Sequence, residues 1–180
     1  MKLALLMGLS LLMVSQVNGQ KLVDRAGTAH FFSEAPLENI EATNKEVIGA
    51  IDLANGSVAV TMYIKGFHFD KSLMEEHFNE NYLESDKYPK ATFSGTIVSF
   101  EQFDFTKNGS FDAVINGTLE LHGVKKELKT KAKFGISENK IDVQTAFDLS
   151  VADFKIKIPR MLFQNIAEVV KVSSTFNFSK

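Results

Sequence analysis

Hydrophobic and polar residues alternate along most of this chain. In residues 127–134, ELKTKAKF, Lys129, Lys131 and Lys133 stand between Leu128, Thr130, Ala132 and Phe134. A period of two puts one set of side chains in water and the other in a core, the signature of a half-buried strand. The pattern returns in Ile141, Val143, Thr145, Phe147 and Leu149, set against Asp142, Gln144 and Asp148, with the turn chemistry of SENK between the two runs. It returns again in Val170, Val172, Phe176 and Phe178. Upstream, EVIGAID and SVAVTMYIK flank Asn55-Gly56, which predicts a type I′ hairpin, a turn that needs positive φ at both central residues. ATFSGTIVSF and SFDAVINGTLELH follow, joined by a loop around Asn108-Gly109. Asn116-Gly117 offers hairpin chemistry too, but Phe111, Ala113, Ile115, Gly117, Leu119 and Leu121 alternate straight through it. One long strand is predicted there, with its turn at Gly123. About eight strands with short connections predict an antiparallel barrel or sandwich. No solenoid repeat or Gly/Ser/Pro-rich linker divides the chain, so one domain is expected.

Two segments break the strand pattern. Over residues 71–83, Leu73, Met74, His77, Phe78 and Tyr82 share one face at helical spacing, with Glu75, Glu76, Asn79 and Glu80 opposite. Asp70 or Ser72 is suited to cap this helix, and Tyr88-Pro89 returns the chain to a strand. The second break, IPRMLFQNIAEV, is expected to hold one turn of helix opened by Pro159.

Composition narrows the class. Met1-Lys2, an apolar run from Leu3 to Val14, and Val17 and Gly19 ahead of Gln20 describe a secretory signal peptide over residues 1–19, with the barrel domain in 20–180. The apolar run is shorter than the roughly 20 residues that span a bilayer, so no stable membrane insertion is expected. The formal charge is −2, or −3 without Lys2, and acids and bases are interspersed. Nothing in that distribution recommends a nucleic-acid partner. The absence of cysteine excludes disulfides, thiolate metal sites and a cysteine nucleophile. Sixteen phenylalanines and no tryptophan leave an aromatic core to hold the fold.

Candidate chemistry is sparse. The four histidines, His30, His68, His77 and His122, include no H-x-x-x-H or H-x-x-E pair, and no metal site is expected. His30 and His122 fall in predicted strands. A G-x-S-x-G nucleophile motif is absent, and most acids sit on water-facing positions. His77 is either a partly buried ring satisfied by backbone or carboxylate, or a contact for the polar end of a ligand. Glycines on apolar faces are more informative. Gly49, Gly95 and Gly117 lie between large apolar neighbours, with Ala113 beside Gly117. They mark either bends in a curling sheet or bends that also leave a lumen.

LMEEHFNENYLESDKYPKATFSGTI, VINGTLELHGVKKELKTKAKF and FDLSVADFKIKIP, taken in that order, resemble the YceI-like family over essentially all of the mature chain. The resemblance is carried by Gly117, Leu119, His122, Gly123, Val124 and Lys126, and by Lys87-Tyr88-Pro89 with Phe93. The opening TAHFFSEAPLENIEATN departs from the family's D-x-x-H-S, and HFNENYLES departs from its H-L-R-S continuation. The resemblance implies an all-β, eight-stranded antiparallel lipocalin-like barrel with the short amphipathic helix capping one end. It also implies export to the periplasm or beyond, and binding of a long isoprenoid, a polyprenyl chain or quinone tail, along the barrel axis.

On that footing Phe93, Ile115, Leu119, Leu121, Phe134 and Phe147 are expected as walls, with room supplied at Gly117. Leu73, Met74, Phe78 and Tyr82 would close one end, and His77 or Tyr82 would meet a polar head. The partner is then an amphiphilic small molecule, with no catalytic residue and no cofactor beyond a bound isoprenoid or quinone-like lipid. A ligand-free barrel serving as an interaction or stress-related module is the alternative. An enzyme using His77 or His122 with a carboxylate is a further one. Oligomeric state, a homodimer included, is not legible in the sequence. Protein from the native host should have its N-terminus at or next to Gln20. Intact mass tests this, and retention of residues 1–19 would remove both export and cleavage.

Overall fold

The computed structural model describes residues 20–35, 38–158 and 167–180, and in it eight long strands close into an antiparallel barrel. They are β1 (Lys21–Ser33), β2 (Ile40–Asp52), β3 (Ser57–Tyr63), β5 (Lys90–Ile97), β6 (Gly109–Leu121), β7 (Val124–Ile136), β8 (Lys140–Ser150) and β9 (Val169–Ser179). The order is β1-β9-β8-β7-β6-β5-β3-β2, and pairing of β2 with β1 closes the ring. A two-residue strand, β4 (Phe67–His68), pairs with Thr43 and Asn44 of β2 beyond the reach of β3. The expected helix is present as α1 (Ser72–His77) running into a wider π-helical turn, Phe78–Tyr82. The second break, residues 158–169, falls largely outside the described residues.

Alternation sets which side chains enter the barrel. On β7, Thr130, Ala132 and Phe134 are buried while Lys129, Lys131 and Lys133 are exposed. Strand β6 runs unbroken through Asn116-Gly117, as the pattern predicted. It ends in a two-residue turn of His122 and Gly123, with φ of 51° and 71°. His122 is therefore a turn residue and not the strand residue that was expected. The hairpin at Asn55-Gly56 also differs from expectation. Its loop runs from Leu53 to Gly56, Gly56 N–H donates to Asp52 O at 2.8 Å, and only Gly56 has positive φ. With four residues to cross the gap, one left-handed residue suffices, and Asn55 keeps an ordinary backbone.

Closure is made by a bulge and by aromatic rings. Strand β1 slips register against β2 between Asp24 and Ala29. Asp24, buried there, accepts from Ala26 N–H at 2.9 Å and from Asn177 N–H at 2.7 Å, which ties the irregular backbone to β9. The Phe176 ring lies over Gly27 and Gly49, where a Cβ on either would sit 2.5 Å from it. Gly95 and Gly117 face each other across β5 and β6 under the ring of Phe93. A Cβ on Gly117 would sit 2.4 Å from Ser94 O and 2.5 Å from Phe93 Cζ. Gly117 was expected to leave room in a lumen, but close strand approach and the ring take that space.

Below these rings, Phe100, Phe103, Phe105, Phe111 and Phe134 form a plug with centroid separations from 4.4 to 5.8 Å. One end of the barrel is solid. Gly117→Ala should therefore cost on the order of 1–3 kcal/mol or more through overpacking. Gly135→Ala, whose Cβ would meet only Asp142 Cβ at 3.7 Å, should be near neutral. Urea midpoints of the two variants test this, and a Gly117→Ala protein as stable as wild type would show that the strands can part freely.

Candidate ligand chamber

The opposite end is hollow. A chamber of about 470 Å³ lies under α1 and the π-helical turn, walled by the inward faces of the strands. Four elements supply most of its aromatic lining. Phe31 of β1, Phe67 of β4, Phe69 and Phe78 pack edge to face, tilted or stacked, with centroids 5.0–5.7 Å apart. Phe78 is the one member from the lid, so its ring joins the lid to the wall.

The lid is held lightly otherwise. Neither α1 nor the turn after it contains a fully buried residue, and Leu73 is 60% exposed at the rim. The residue preceding α1 is Lys71, which makes no side-chain cap, so the cap expected from Asp70 or Ser72 is not formed. Glu75 instead reaches back, accepting from Phe69 N–H at 3.2 Å with His68 Nδ1 at 3.5 Å. That carboxylate binds a backbone donor ahead of the helix, leaving the usual capping position without a task. Lys71 pairs with Glu38 across the mouth. At the lid's entry, fully buried Asn44 donates to Tyr63 O at 2.9 Å and accepts from Glu46 N–H at 2.8 Å, fixing the turn that leaves β3.

Of the residues expected at the site, Leu73, Met74, His77, Phe78, Tyr82, Leu119, Leu121 and Phe147 line this chamber. Phe93, Ile115 and Phe134 do not. They line a second, smaller cavity of about 100 Å³ deeper in the barrel, together with Leu119 and Phe147. Gly117 lines neither. Sequence reasoning missed Ala29, Phe31, Met62, Phe67, Phe69 and Leu149 of the chamber wall. Their signal was present in part: Ala29, Phe31 and Ser33 alternate on β1, and Phe67 and Phe69 flank His68.

Polar groups gather at the mouth. Glu38, Lys71, His77 and Tyr82 border it, while the deeper wall is hydrocarbon. Ser33 Oγ accepts from Ala167 N–H at 2.9 Å. Burial pushes the Tyr82 phenol above its usual range, so it is a neutral donor at any ordinary pH. Among the described residues no hydrogen bond is formed by the rings of His77 or Tyr82. The other three histidines each meet a different glutamate and do not converge: His30 with Glu41, His68 with Glu75, His122 with Glu84. Among the described residues no three His, Asp or Glu side chains are grouped as a metal ion would need.

The YceI-like domain family matches residues 13–178. The chain belongs to the YceI-like family. Solved structures agree on the fold. A polyisoprenoid-binding domain from Saccharophagus degradans, implicated in plant cell wall breakdown, superposes with a TM-score of 0.76 at 16% identity, covering 89% of this chain and 98% of that one. BcnA of Burkholderia cenocepacia gives 0.69 at 14% identity, covering 84% and 95%. The YceI protein of Campylobacter jejuni gives 0.63 at 16% identity, covering 82% and 88%. No curated protein matches the chain.

Two stretches that mark the chain as YceI-like meet at one corner beside the lid. Tyr88, from Lys87-Tyr88-Pro89, sets its ring edge-on to His122 at 4.5 Å and covers Gly123, where a Cβ would sit 2.6 Å away. His122 is 8% exposed. Its Nδ1 donates to Phe154 O at 3.0 Å, since a carbonyl only accepts, and its Nε2 faces Glu84 Oε2 at 2.9 Å. Glu84, His122 and Lys155 all have left-handed backbone here, uncommon for residues with side chains. The imidazole thus pins three strained connections to one another. Neither His122 nor Glu84 lines the chamber, so this pair lies outside the cleft, whereas His77 and the carboxylate of Glu38 both border it. His122→Ala strands the Phe154 carbonyl in a buried corner. It should cost about 1–3 kcal/mol, read as a fall in urea midpoint. An unchanged midpoint would show that the clamp carries no stability.

Proposed function

We propose that this YceI-like chain binds an isoprenoid-like lipid, a polyprenyl chain or a quinone tail, and carries or stores it without doing chemistry on it. The observation that carries this is the chamber itself: about 470 Å³ of hydrocarbon-walled space whose polar residues stand at the mouth. Such a site suits an amphiphile with its tail inward and its head at His77, Tyr82 or Lys71. The polyisoprenoid-binding domain of Saccharophagus degradans, similar in fold, supports the ligand class. The driving force is burial, about 0.8 kcal/mol per CH₂. Association costs at least about 4 kcal/mol, so a tail of several carbons is needed before binding is favourable. A ligand-free module would be served by a solid barrel, and only the plugged end is solid. Export belongs to the same proposal. Strand β1 begins at Lys21, one residue past the expected cut, and Gln20 O already accepts from Leu53 N–H at 3.0 Å. Among the described residues no helix is long and apolar enough to cross a membrane.

Mass spectrometry of the organic extract of purified, folded protein should yield an isoprenoid-type lipid near one per chain. Ala91→Phe, which projects a ring into the chamber, should retain the far-ultraviolet circular dichroism of a barrel and lose that lipid. An empty wild-type extract, together with failure to take up added isoprenoid alcohol, would sink the proposal.

A further inference from the structure

Met62, Leu119, Phe147 and Val172 are the four residues shared by the walls of the chamber and of the smaller cavity below it. They come from β3, β6, β8 and β9, so together they cross the barrel's section as a floor. Above them the chamber is shallow. Strand β1 lines it with Ala29, Phe31 and Ser33, and the wall from Phe147 through Leu149 to Val151 has the same height. Four residue steps at roughly 3.3 Å each make a wall of about 13 Å. An isoprene unit has four chain bonds of about 1.5 Å, hence roughly 5 Å of length once the zigzag is allowed for. Two to three units fill the wall's height.

Beneath the floor there is little to gain. The lower cavity is about 100 Å³ against 470 Å³ above, and the phenylalanine plug stands under it. We infer that this floor sets tail length, so that the site encloses about three isoprene units and leaves the remainder of a longer tail outside. Methionine is the adjustable member, because an unbranched thioether repacks at low cost. Val172 is the fixed one, a β-branched side chain with one preferred rotamer. The inference rests on the isoprenoid reading above, and its test separates the two.

The experiment is displacement of an environment-sensitive apolar dye by isoprenoid alcohols of ten, fifteen, twenty and forty carbons. On the wild-type protein, competition should strengthen by roughly tenfold or more from ten to fifteen carbons, where every added group is buried. From twenty to forty carbons it should change by less than about threefold, because the added length stays in water. Met62→Ala lowers the floor and should move the plateau out to twenty carbons. Val172→Phe raises it and should move the plateau in to ten. Shifts of opposite sign cannot come from general destabilisation, and thermal melts of both variants identify any that fail to fold. If Met62→Ala does not fold, the wild-type series and Val172→Phe still decide. Wild-type affinity that climbs steadily to forty carbons overturns the inference while leaving the isoprenoid reading standing. Folded variants with an unmoved plateau do the same. If no alcohol displaces the dye, both fall.

Discussion

A phenylalanine ring laid over a pair of glycines is the contact on which the rest of this barrel depends. Eight strands enclose an interior just wide enough for side chains to fill, so where they are filled decides where space is left. Phe176 covers Gly27 and Gly49 at the closing seam, and Phe93 covers Gly95 and Gly117 between β5 and β6. Each device does two jobs. Absence of Cβ lets adjacent strands approach and curve, and the ring restores the apolar contact the glycines do not make. Five more phenylalanines, Phe100, Phe103, Phe105, Phe111 and Phe134, pack on one another as a plug. The larger hollow is left at the other end, with only the small cavity between.

Confinement has consequences for the lid. An apolar chamber open to water would expose its walls, and even Met62, Phe147 and Val172, at its deep end, are only partly buried because they border empty space. The lid therefore has to cover the mouth without filling it. It does so with a six-residue helix and one π-helical turn, no fully buried residue, and a single ring, Phe78, set among Phe31, Phe67 and Phe69. The ion pairs of Lys71 and His68 are solvent-facing and contribute little. Elements with few buried contacts open at the lowest free energy. The lid is thus lightly anchored, while the His122 corner beside it is tied to Phe154 and Glu84.

Strand positions were legible because burial on one face imposes a period of two, and that period survived even the turn-like Asn116-Gly117. The chamber-facing side of the lid was legible for the same reason, since Leu73, Met74, His77, Phe78 and Tyr82 recur at helical spacing. What failed were inferences that needed a third dimension. A glycine on an apolar face announces that something is close or that something is absent, and at Gly117 only the register with Gly95 and the ring of Phe93 decide which. His122 reads as the end of a strand until its left-handed backbone is seen. Phe93, Ile115 and Phe134 point inward like the chamber residues, but lie deeper in the barrel, a distinction of depth that alternation alone does not encode.

Depth also explains where polar chemistry is and is not found. The buried polar side chains Asp24, Asn44 and His122 each satisfy backbone at an irregularity: a bulge, the exit from β3, and a turn joined to two other strained connections. Those groups are committed to the fold. Among the described residues the one buried polar side chain lining the chamber is Ser33, whose hydroxyl oxygen already accepts from Ala167 N–H. Discrimination among ligands then falls to two physical quantities. On the proposed reading, one is the apolar length that reaches the inferred floor, and the other is the head that would meet His77, Tyr82 and Lys71 at the rim. A site of this kind is selective by shape and tolerant of chemistry, since hydrocarbon offers no hydrogen bonds to mismatch and each methylene adds a similar increment until the floor is met. On that reading Met62, Leu119, Phe147 and Val172 would do for this chamber what a specific hydrogen bond does in a polar site.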